Sequence, residues 1–278
     1  MEILTTPATM RAWRRAQGGT AGFVPTMGFL HEGHLALARR AKAENDITLV
    51  SIFVNPTQFA PGEDFERYPR DEERDLELLR DVGINAVYMP APAVMYPGGY
   101  QTSVDVERVT QPLEGASRPG HFRGVTTVVL KLFNAVEPTR AYFGRKDAQQ
   151  LRVIQRMTLD LDLGVEIVPC DIVRESDGLA LSSRNVYLSP AQRAAAPAIH
   201  RALSRAKAAH SAGERDANAL RTMVRRDLER VPGAVLDYVS LADDETLDEL
   251  SGPVSRPAML STVVKFGPTR LLDNIELR

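Results

Sequence analysis

Short apolar runs alternate with longer segments of helical periodicity over the first part of the chain. The predicted strands are residues 22 to 26, 47 to 54, 86 to 90, 140 to 144 and 165 to 169. Predicted helices lie between them at residues 35 to 44, 71 to 83, 124 to 136 and 146 to 161, and Gly83 and Gly164 stand where C-caps are expected. This alternation is typical of parallel strands joined by crossover helices, and it predicts an α/β fold with a doubly wound parallel sheet. Such sheets bind ligands at the carboxyl ends of their strands.

The sequence changes character after residue 172. A predicted helix follows Ser189-Pro190, a second covers residues 216 to 230, and short strands are predicted at residues 235 to 241, 258 to 266 and 269 to 277. We therefore predict a Rossmann-like domain over residues 1 to 172 and a smaller C-terminal α+β domain over residues 173 to 278. The first of these helices carries a basic run that we interpret as a solvated face: His200, Arg201, Arg205, Lys207 and His210.

Composition argues against several classes of function. The 34 Lys and Arg against 36 Asp and Glu give a net charge of -2, so no overall field favours nucleic acid or an anionic membrane. The single cysteine, Cys170, excludes an intramolecular disulfide and fits a reducing compartment. No apolar run reaches the roughly 20 residues that span a bilayer, and the N-terminus lacks the apolar core of a signal peptide. We expect a cytoplasmic protein with neither nucleic acid nor membrane as a partner.

Two histidines lie three residues apart in PTMGFLHEGHLALARRA, where a loop leads into a predicted helix. Gly28 lets the chain turn after the first strand, and a helix that begins near Gly33 points its N–H groups at the crevice, where an anion would bind. If the helix begins between His31 and His34, both rings can converge on one polyphosphate. The spacing alone leaves open a surface accident, a core pair or two metal ligands. A zinc site is disfavoured because no nearby ligand cluster completes it.

Polar side chains follow the second strand in SIFVNPTQF. Pro56 ends that strand and presents Asn55 and Gln58 at its carboxyl end, where they suit a ligand with hydroxyl and carboxylate groups. A turn in which Asn55 caps its own backbone explains the same pattern equally well.

Two further segments place charged side chains beside predicted helices. LEGASRPGHFRGVTTVVLKLFN, residues 113 to 134, is interpreted either as a lid over the crevice or as a mobile connector, and it carries Arg118, His121 and Arg123. In YFGRKDAQQL, Asp147 either caps the helix or holds ribose hydroxyls, and Lys146 is placed to meet a phosphate.

A third candidate segment, RESDGLALSSRNVYLSP, gathers two hydroxyls and a guanidinium in a glycine-hinged loop. Ser182, Ser183 and Arg184 would make a clamp for a leaving pyrophosphate, because the planar guanidinium binds phosphate oxygens bidentately. The tripeptide indicates a phosphate site only in combination with the histidine pair.

Together these segments resemble the pantothenate synthetase family, the pantoate:β-alanine ligases. PTMGFLHEGH is similar to that family's version of the HIGH signature of nucleotidyltransferases and class I aminoacyl-tRNA synthetases, and LSSRN stands where those enzymes carry KMSKS. The match extends, in family order, to VSIFVNPTQF, RYPR, LEGASRPGHFRGV, FGRKDAQQL, DGLALSSRN and the closing TRLLDN. It covers nearly the whole chain.

The resemblance implies a two-step reaction. ATP and pantoate give pantoyl adenylate and pyrophosphate, and the amine of β-alanine then attacks the acyl carbon to release pantothenate and AMP. It also implies Mg²⁺ that bridges the phosphate oxygens, no metal ion held by the protein alone, and a homodimer. Because two anions must meet, we expect catalysis by positioning and charge neutralisation without a covalent enzyme intermediate.

The resemblance further implies roles for individual residues. His31 and His34 would contact the ATP phosphates, with His34 as the proton donor. Gln58 and Gln150 would hold pantoate, and Asn55 would line the same pocket. The other residues of the nucleotide site would be Met27, Gly28, Gly144, Arg145, Lys146, Asp147, Val173, Leu181, Ser182, Ser183 and Arg184. The expected catalytic residues are His31, His34, Lys146 and Arg184.

The sequence departs from the family pattern at Arg145, where Glu is common. We expect this charge reversal to be neutral, with the side chain pointing away from the site.

Two alternative functions remain. One is a nucleotidyltransferase for a phosphate-bearing substrate, such as a cytidylyltransferase or a pantetheine-phosphate adenylyltransferase. The other is a nucleotide-binding regulatory module without turnover. The first shares HxGH but does not account for VNPTQF or LEGASRPGHFRG, and the intact set of candidate residues argues against the second.

Overall fold

The computed structural model describes every residue from 1 to 278. The chain forms two compact units. The first unit consists of Met1–Arg145 and Gln150–Asp171, and the second consists of Lys146–Gln149 and Ile172–Arg278. The four residues Lys146–Gln149 therefore group with the second unit, although the residues on both sides of them in sequence group with the first. None of the helices has the length and apolar character that crossing a bilayer requires.

A six-stranded parallel sheet is the centre of the first unit. Its strands are β1 (Glu2–Leu4), β2 (Ala21–Thr26), β3 (Ile47–Ile52), β4 (Ala86–Tyr88), β5 (Arg140–Gly144) and β6 (Glu166–Cys170). They lie in the order β1-β4-β3-β2-β5-β6, and every pair is parallel. From β2 the chain proceeds to one side through β3 and later to the other side through β5, so the ends of β2 and β5 flank the switch point at which such sheets bind ligands.

Helices cover both faces of this sheet. The α-helices up to residue 160 are α1 (Pro7–Ala16), α2 (Glu32–Glu44), α3 (Glu72–Val82), α4 (Pro92–Met95), α5 (Glu114–Ser117), α6 (His121–Val136) and α7 (Ala148–Asp160). Val24 shares a buried cluster with Leu35 of α2, whereas the Phe23 ring meets Phe133 of α6 edge to face at 6.4 Å. Since neighbouring residues of a strand point to opposite faces, α2 and α6 lie on opposite sides. The predicted doubly wound α/β fold is confirmed.

Several predicted boundaries differ from the structure. Gly83 ends α3 with φ 80°, as predicted, but the prediction for Gly164 is wrong: α7 ends at Asp160, and the residue with positive φ there is Asp162. Helix α6 begins three residues before the predicted start. The predictions also missed β1 and α1, because β1 has three residues and α1 buries only Met10.

The second unit packs helices on an antiparallel sheet. Its strands β7 (Ala234–Asp243), β8 (Ala258–Phe266) and β9 (Thr269–Leu277) lie in that order, and its helices are α8 (Pro190–Ala195), α9 (Ala198–Ser211) and α10 (Ala217–Leu228). The core joins Leu203, Leu220 and Leu260. The predicted helix after Ser189-Pro190 is thus two helices. The interpretation of a solvated basic face holds for Arg201, Arg205 and Lys207, but it is wrong for His210, which is buried, and for His200, which is half-buried.

Candidate functional site

The loop after β2 depends on a glycine and on a buried carboxylate. Gly28 has φ +80°, and a Cβ there would lie 3.0 Å from Ile52 Cγ2 and 3.1 Å from Asp75 Oδ2. Asp75 reaches the loop from α3, where its two oxygens accept hydrogen bonds from the backbone N–H groups of Phe29 (2.6 Å) and Leu30 (2.7 Å). A side chain at position 28 would crowd the carboxylate that fixes the loop.

Sequence reasoning missed Asp75. Its side chain is 1% exposed, and burial raises the pKa of its carboxyl group, although the hydrogen bonds from Leu30 and Phe29 favour the ionised form. The available signal was its position four residues before the buried Leu79, which places both residues on the same face of α3. An acidic residue on a buried helix face usually has a specific partner.

The histidine pair flanks the first residues of α2. The helix begins at Glu32 with His31 as its N-cap, so it starts between the two histidines. Gly33 N–H donates to His31 Nδ1 at 3.2 Å, and His31 N–H donates to His34 Nδ1 at 3.4 Å. The rings stack with centroids 4.0 Å apart and planes at 24°.

These hydrogen bonds determine what the imidazoles can offer. A neutral ring that accepts at Nδ1 carries its proton at Nε2, so both rings present an Nε2–H donor. Neither His31 nor His34 is buried, which removes the core-pair alternative. No group of three or more His, Cys, Asp or Glu side chains is placed to hold a metal ion. The arrangement suits donation to an anion at the positive end of a helix.

Asn55 organises the turn that presents Gln58. It is 1% exposed and caps the 3-10 helix Pro56–Gln58, the alternative that the sequence left open. Its Oδ1 accepts from Tyr96 Oη at 2.8 Å, and its Nδ2 donates to Gln58 Oε1 and to the carbonyl of Gly124, both at 3.1 Å. Gln58 Nε2 lies 3.3 Å from Met27 Sδ. Asn55 therefore orients the Gln58 side chain towards the end of β2.

Residues at the start of α6 hold the same turn from the other side. His121 Nδ1 lies 2.8 Å from the carbonyl oxygen of Gln58, and Arg118 donates to both oxygens of Glu63 at 2.7 Å. Arg118 Nη1 lies 3.1 Å from His121 Nε2, so the imidazole accepts there and donates through Nδ1 to Gln58. Burial and then the Arg118 charge lower the pKa of His121 to about 4. Residues 121 to 134 of this segment thus belong to helix α6. Arg118 and His121, just before and at the start of the helix, contact the carbonyl oxygen of Gln58.

In the second unit, a β-hairpin leads into the SSR tripeptide. Leu181 N–H donates to the carbonyl of Val173 at 3.0 Å, and the hairpin turns at Gly178. Ser182 then caps the 3-10 helix Ser183–Tyr187 by accepting from Arg184 N–H at 3.3 Å. The loop that the sequence predicts as glycine-hinged is this ordered hairpin.

The segment around Lys146 is a 3-10 helix, Arg145–Asp147. Lys146 Nζ lies 3.9 Å from Asp147 Oδ1, and its carbonyl oxygen accepts from Asn274 Nδ2 at 2.7 Å. Arg145, which belongs to the first unit, places Nε 3.6 Å from Asp171 Oδ1. Because Asp171 is fully exposed, this ion pair contributes little to stability. It does give the positive charge of Arg145, which stands where Glu is common in the family, an acidic partner nearby.

The two units divide the predicted site residues between them. Three neighbouring strands of the first unit, β3, β2 and β5, direct their carboxyl ends to one edge. Eight of the residues end or follow these strands: Met27, Gly28, His31, His34, Asn55, Gln58, Gly144 and Arg145. Gln150 lies in the first turn of α7. The second unit contains Lys146, Asp147, Val173, Leu181, Ser182, Ser183 and Arg184. Their contacts with ligands stay predictions.

The chain is similar to known proteins over nearly its full length. The family model for pantoate-beta-alanine ligase matches residues 2–276. A pantothenate synthetase of Roseiflexus castenholzii is 57% identical over 274 residues, which cover 99% of this chain and 98% of the relative. The relative from Moorella thermoacetica, also a pantothenate synthetase, is 54% identical over 280 residues, which cover 100% of this chain and 99% of the relative.

Solved structures agree with this similarity. Pantothenate synthetase from Thermus thermophilus has a TM-score of 0.94 to this chain at 48% identity, with 99% of each chain covered. The pantoate-beta-alanine ligase from Francisella tularensis, whose crystal structure contains beta-gamma ATP and beta-alanine, has a TM-score of 0.81 at 32% identity, covering 99% of this chain and 97% of that one.

Proposed function

Because this chain belongs to the pantoate-beta-alanine ligase family, we propose that it condenses pantoate with β-alanine in an ATP-dependent reaction that passes through pantoyl adenylate. The stacked pair of His31 and His34 at the start of α2 is the observation that supports the mechanism best. The pair caps the start of the helix, so two imidazole groups are available as donors at its positive end.

In the first step, a carboxylate oxygen of pantoate attacks the α-phosphorus of ATP. The new P–O bond forms as the bond to the bridging oxygen breaks, and pyrophosphate leaves. Two anions must approach each other, so the step requires donors and cations that neutralise phosphate charge. We propose that the Nε2–H groups of His31 and His34 donate to the phosphates, and that His34 supplies the proton.

The remaining residues bind and orient the substrates in this proposal. Gln58 and Gln150 hold pantoate, and Asn55 acts by holding Gln58. Lys146 and Arg184 neutralise phosphate charge. The residues proposed to line the nucleotide are Met27, Gly28, Gly144, Arg145, Asp147, Val173, Leu181, Ser182 and Ser183.

In the second step, the amine of β-alanine attacks the acyl carbon of pantoyl adenylate. The C–N bond forms, the bond from the acyl carbon to the phosphate oxygen breaks, AMP leaves and the nitrogen loses a proton. No side-chain nucleophile takes part. Excluding water from the adenylate is therefore as important as positioning the amine.

We propose that Mg²⁺ accompanies ATP. Because no cluster of acidic or imidazole side chains is placed to hold a metal ion, the ion would be bound chiefly by phosphate oxygens, where it neutralises their charge.

We also propose a homodimer and a cytoplasmic location. Strand β6 lies at the edge of its sheet, and Leu159 and Leu161 at the C-terminal end of α7 are 66% and 47% exposed. A second copy would cover such a surface. The buried free thiol of Cys170 fits a reducing compartment. Sedimentation equilibrium tests the dimer, and a particle with the mass of one chain would contradict it.

Exchange of labelled pyrophosphate into ATP tests the reaction. The assay is run with Mg²⁺, with and without pantoate, in the absence of β-alanine. We expect exchange that requires pantoate, because formation of the acyl adenylate is reversible. Absence of exchange would favour a transferase for a phosphate-bearing substrate, or a nucleotide-binding module without turnover.

A further inference from the structure

Strand β9 carries two consecutive buried polar residues within the TRLLDN segment. Asp273 and Asn274 are each 3% exposed, although Leu271 and Leu277 of the same strand belong to the apolar core. Burying a carboxylate and an amide is costly unless both are hydrogen-bonded. Their partners therefore indicate what these residues do.

Asn274 holds the backbone of Lys146. Its Nδ2 donates to the carbonyl oxygen of Lys146 at 2.7 Å, although 128 residues separate the two in sequence. The carbonyl belongs to the 3-10 helix Arg145–Asp147, and Lys146–Gln149 groups with the second unit. This hydrogen bond fixes the main chain of Lys146 relative to β9.

Asp273 holds the hairpin that precedes the SSR tripeptide. Arg174 donates to the two oxygens of Asp273 at 2.6 and 2.9 Å, and it also donates to the carbonyl of Gly178 at 3.1 Å. Asp273 Oδ1 accepts in addition from the N–H of Asn274 at 2.8 Å. A bidentate pair of this kind fixes orientation as well as distance. The hairpin from Val173 to Leu181 is thereby tied to the same strand.

We propose that Asp273 and Asn274 are positioning residues that hold Lys146 and the Leu181–Arg184 segment at a fixed separation for phosphate binding. Consecutive residues of one strand form a rigid base, because their separation is set by covalent geometry. A displacement of about 1 Å in a charged group can slow a reaction by roughly 10²-fold. This inference rests on the proposed function of Lys146 and Arg184.

Substitution of Asn274 tests the first tether. Asn274→Ala removes the donor to Lys146, and we expect the kcat of pantoate-dependent pyrophosphate exchange to fall by about 10- to 100-fold, with the KM for pantoate within about twofold. Ser261→Ala is the matched control: Ser261 pairs with Asn274 in register on β8, is equally buried, and its hydroxyl has no hydrogen-bond partner. We expect this control to exchange at the rate of the unsubstituted protein.

A double-mutant cycle separates positioning from general damage. If Asn274 acts through Lys146, the Lys146→Ala, Asn274→Ala double variant exchanges no more slowly than Lys146→Ala alone. Full rate in Asn274→Ala, or additive losses in the double variant, would overturn the inference. Full rate in Lys146→Ala would instead remove Lys146 from the proposed function and the tether with it.

Asp273→Asn provides a second, nearly isosteric variant in case Asn274→Ala does not fold, as judged by circular dichroism. It removes the charge that holds Arg174, and we expect a loss of exchange that is not additive with Arg184→Ala. Unchanged exchange in a folded Asp273→Asn variant would overturn the inference for the hairpin.

Discussion

At His31 and His34, the imidazole rings are held by the turn that they cap. Backbone N–H groups donate to Nδ1 of both rings, and the rings stack on each other. Ring orientation and tautomer are therefore set before a ligand arrives, which reduces the reorganisation that the reaction requires. Asn55 likewise fixes the orientation of the Gln58 side chain, since its buried amide donates a hydrogen bond to Gln58 Oε1.

Replacing His34 tests this preorganised donor. We expect His34→Ala to lower pyrophosphate exchange by about 10² or more, because the proposed contact with the transition state is lost. Glu32→Gln, in the same helical turn, is the control, since Glu32 is exposed and pairs only with Arg39. Near-normal exchange by His34→Ala would remove His34 from the catalytic residues.

At the scale of elements, the loop after β2 and the turn after β3 are each fixed by a neighbouring helix. Asp75 of α3 accepts hydrogen bonds from two backbone N–H groups of the loop after β2. Helix α6 holds the second, where Gly124 permits close approach: a Cβ there would lie 2.4 Å from the carbonyl oxygen of Thr57. Both loops thus take their shape from helices distant in sequence.

Asp75→Asn tests the support of the histidine loop. The amide retains one acceptor oxygen, so one of the two N–H groups of Phe29 and Leu30 loses its partner, at a cost of about 1–3 kcal/mol in unfolding free energy. We expect slower exchange as well, because His31 follows this loop directly. Asp81→Asn, at an exposed position of the same helix, is the control. Unaltered exchange and stability in Asp75→Asn would contradict this role.

The start of α6 makes stability dependent on pH. The folded-state pKa of His121 is about 4, against an ordinary value of 6.5, because of burial and the Arg118 charge, with Glu63 and Glu114 acting in the opposite direction. Between pH 6.5 and 4 the unfolded chain binds a proton that the folded chain does not, so stability falls as the pH drops, by up to about 3 kcal/mol in total.

Urea unfolding at a series of pH values measures this effect. We expect His121→Gln to flatten the decline between pH 6.5 and 4.5. Glu63 adds a separate loss at lower pH: burial raises the pKa of its carboxyl group, but Arg118 outweighs burial and holds that pKa below its ordinary value. Identical slopes for both proteins between pH 6.5 and 4.5 would show that His121 does not titrate as described.

At the scale of the whole molecule, each compact unit contributes its own group of candidate residues. The first unit supplies the histidine pair and Gln58, and the second supplies Lys146 and Arg184. None of these groups is placed as an activated side-chain nucleophile in the proposed mechanism, which relies on donors and cations. The chain should therefore stay covalently unmodified during turnover.

Intact-mass measurement tests this expectation. After incubation with ATP, Mg²⁺ and pantoate, and after denaturation, we expect the 30.6 kDa chain to keep its mass, because pantoyl adenylate is bound without a covalent link. A mass increase that matches a pantoyl or adenylyl group on the protein would contradict the proposed mechanism.

Local patterns in the sequence predict most of the strands and helices in their correct order. Alternating apolar runs predict the parallel sheet, Gly28 predicts the turn after β2, and the HxxH spacing predicts a histidine pair at the start of α2, because each depends on residues close together in the chain. Resemblance to a family supplied the expected roles of these residues. The same local patterns failed for β1, whose three residues carry little signal, and for Gly164, because α7 ends earlier, at Asp160.

Tertiary structure supplied the residues that hold the site in place. Asp75 meets Phe29 across 46 residues of sequence, and Asn274 meets Lys146 across 128. Nothing local distinguishes such a carboxylate or amide from a solvated one, because its role depends on burial and on partners brought together by folding. The backbone of Lys146 shows the same dependence on folding, because its carbonyl oxygen accepts a hydrogen bond from Asn274 of β9.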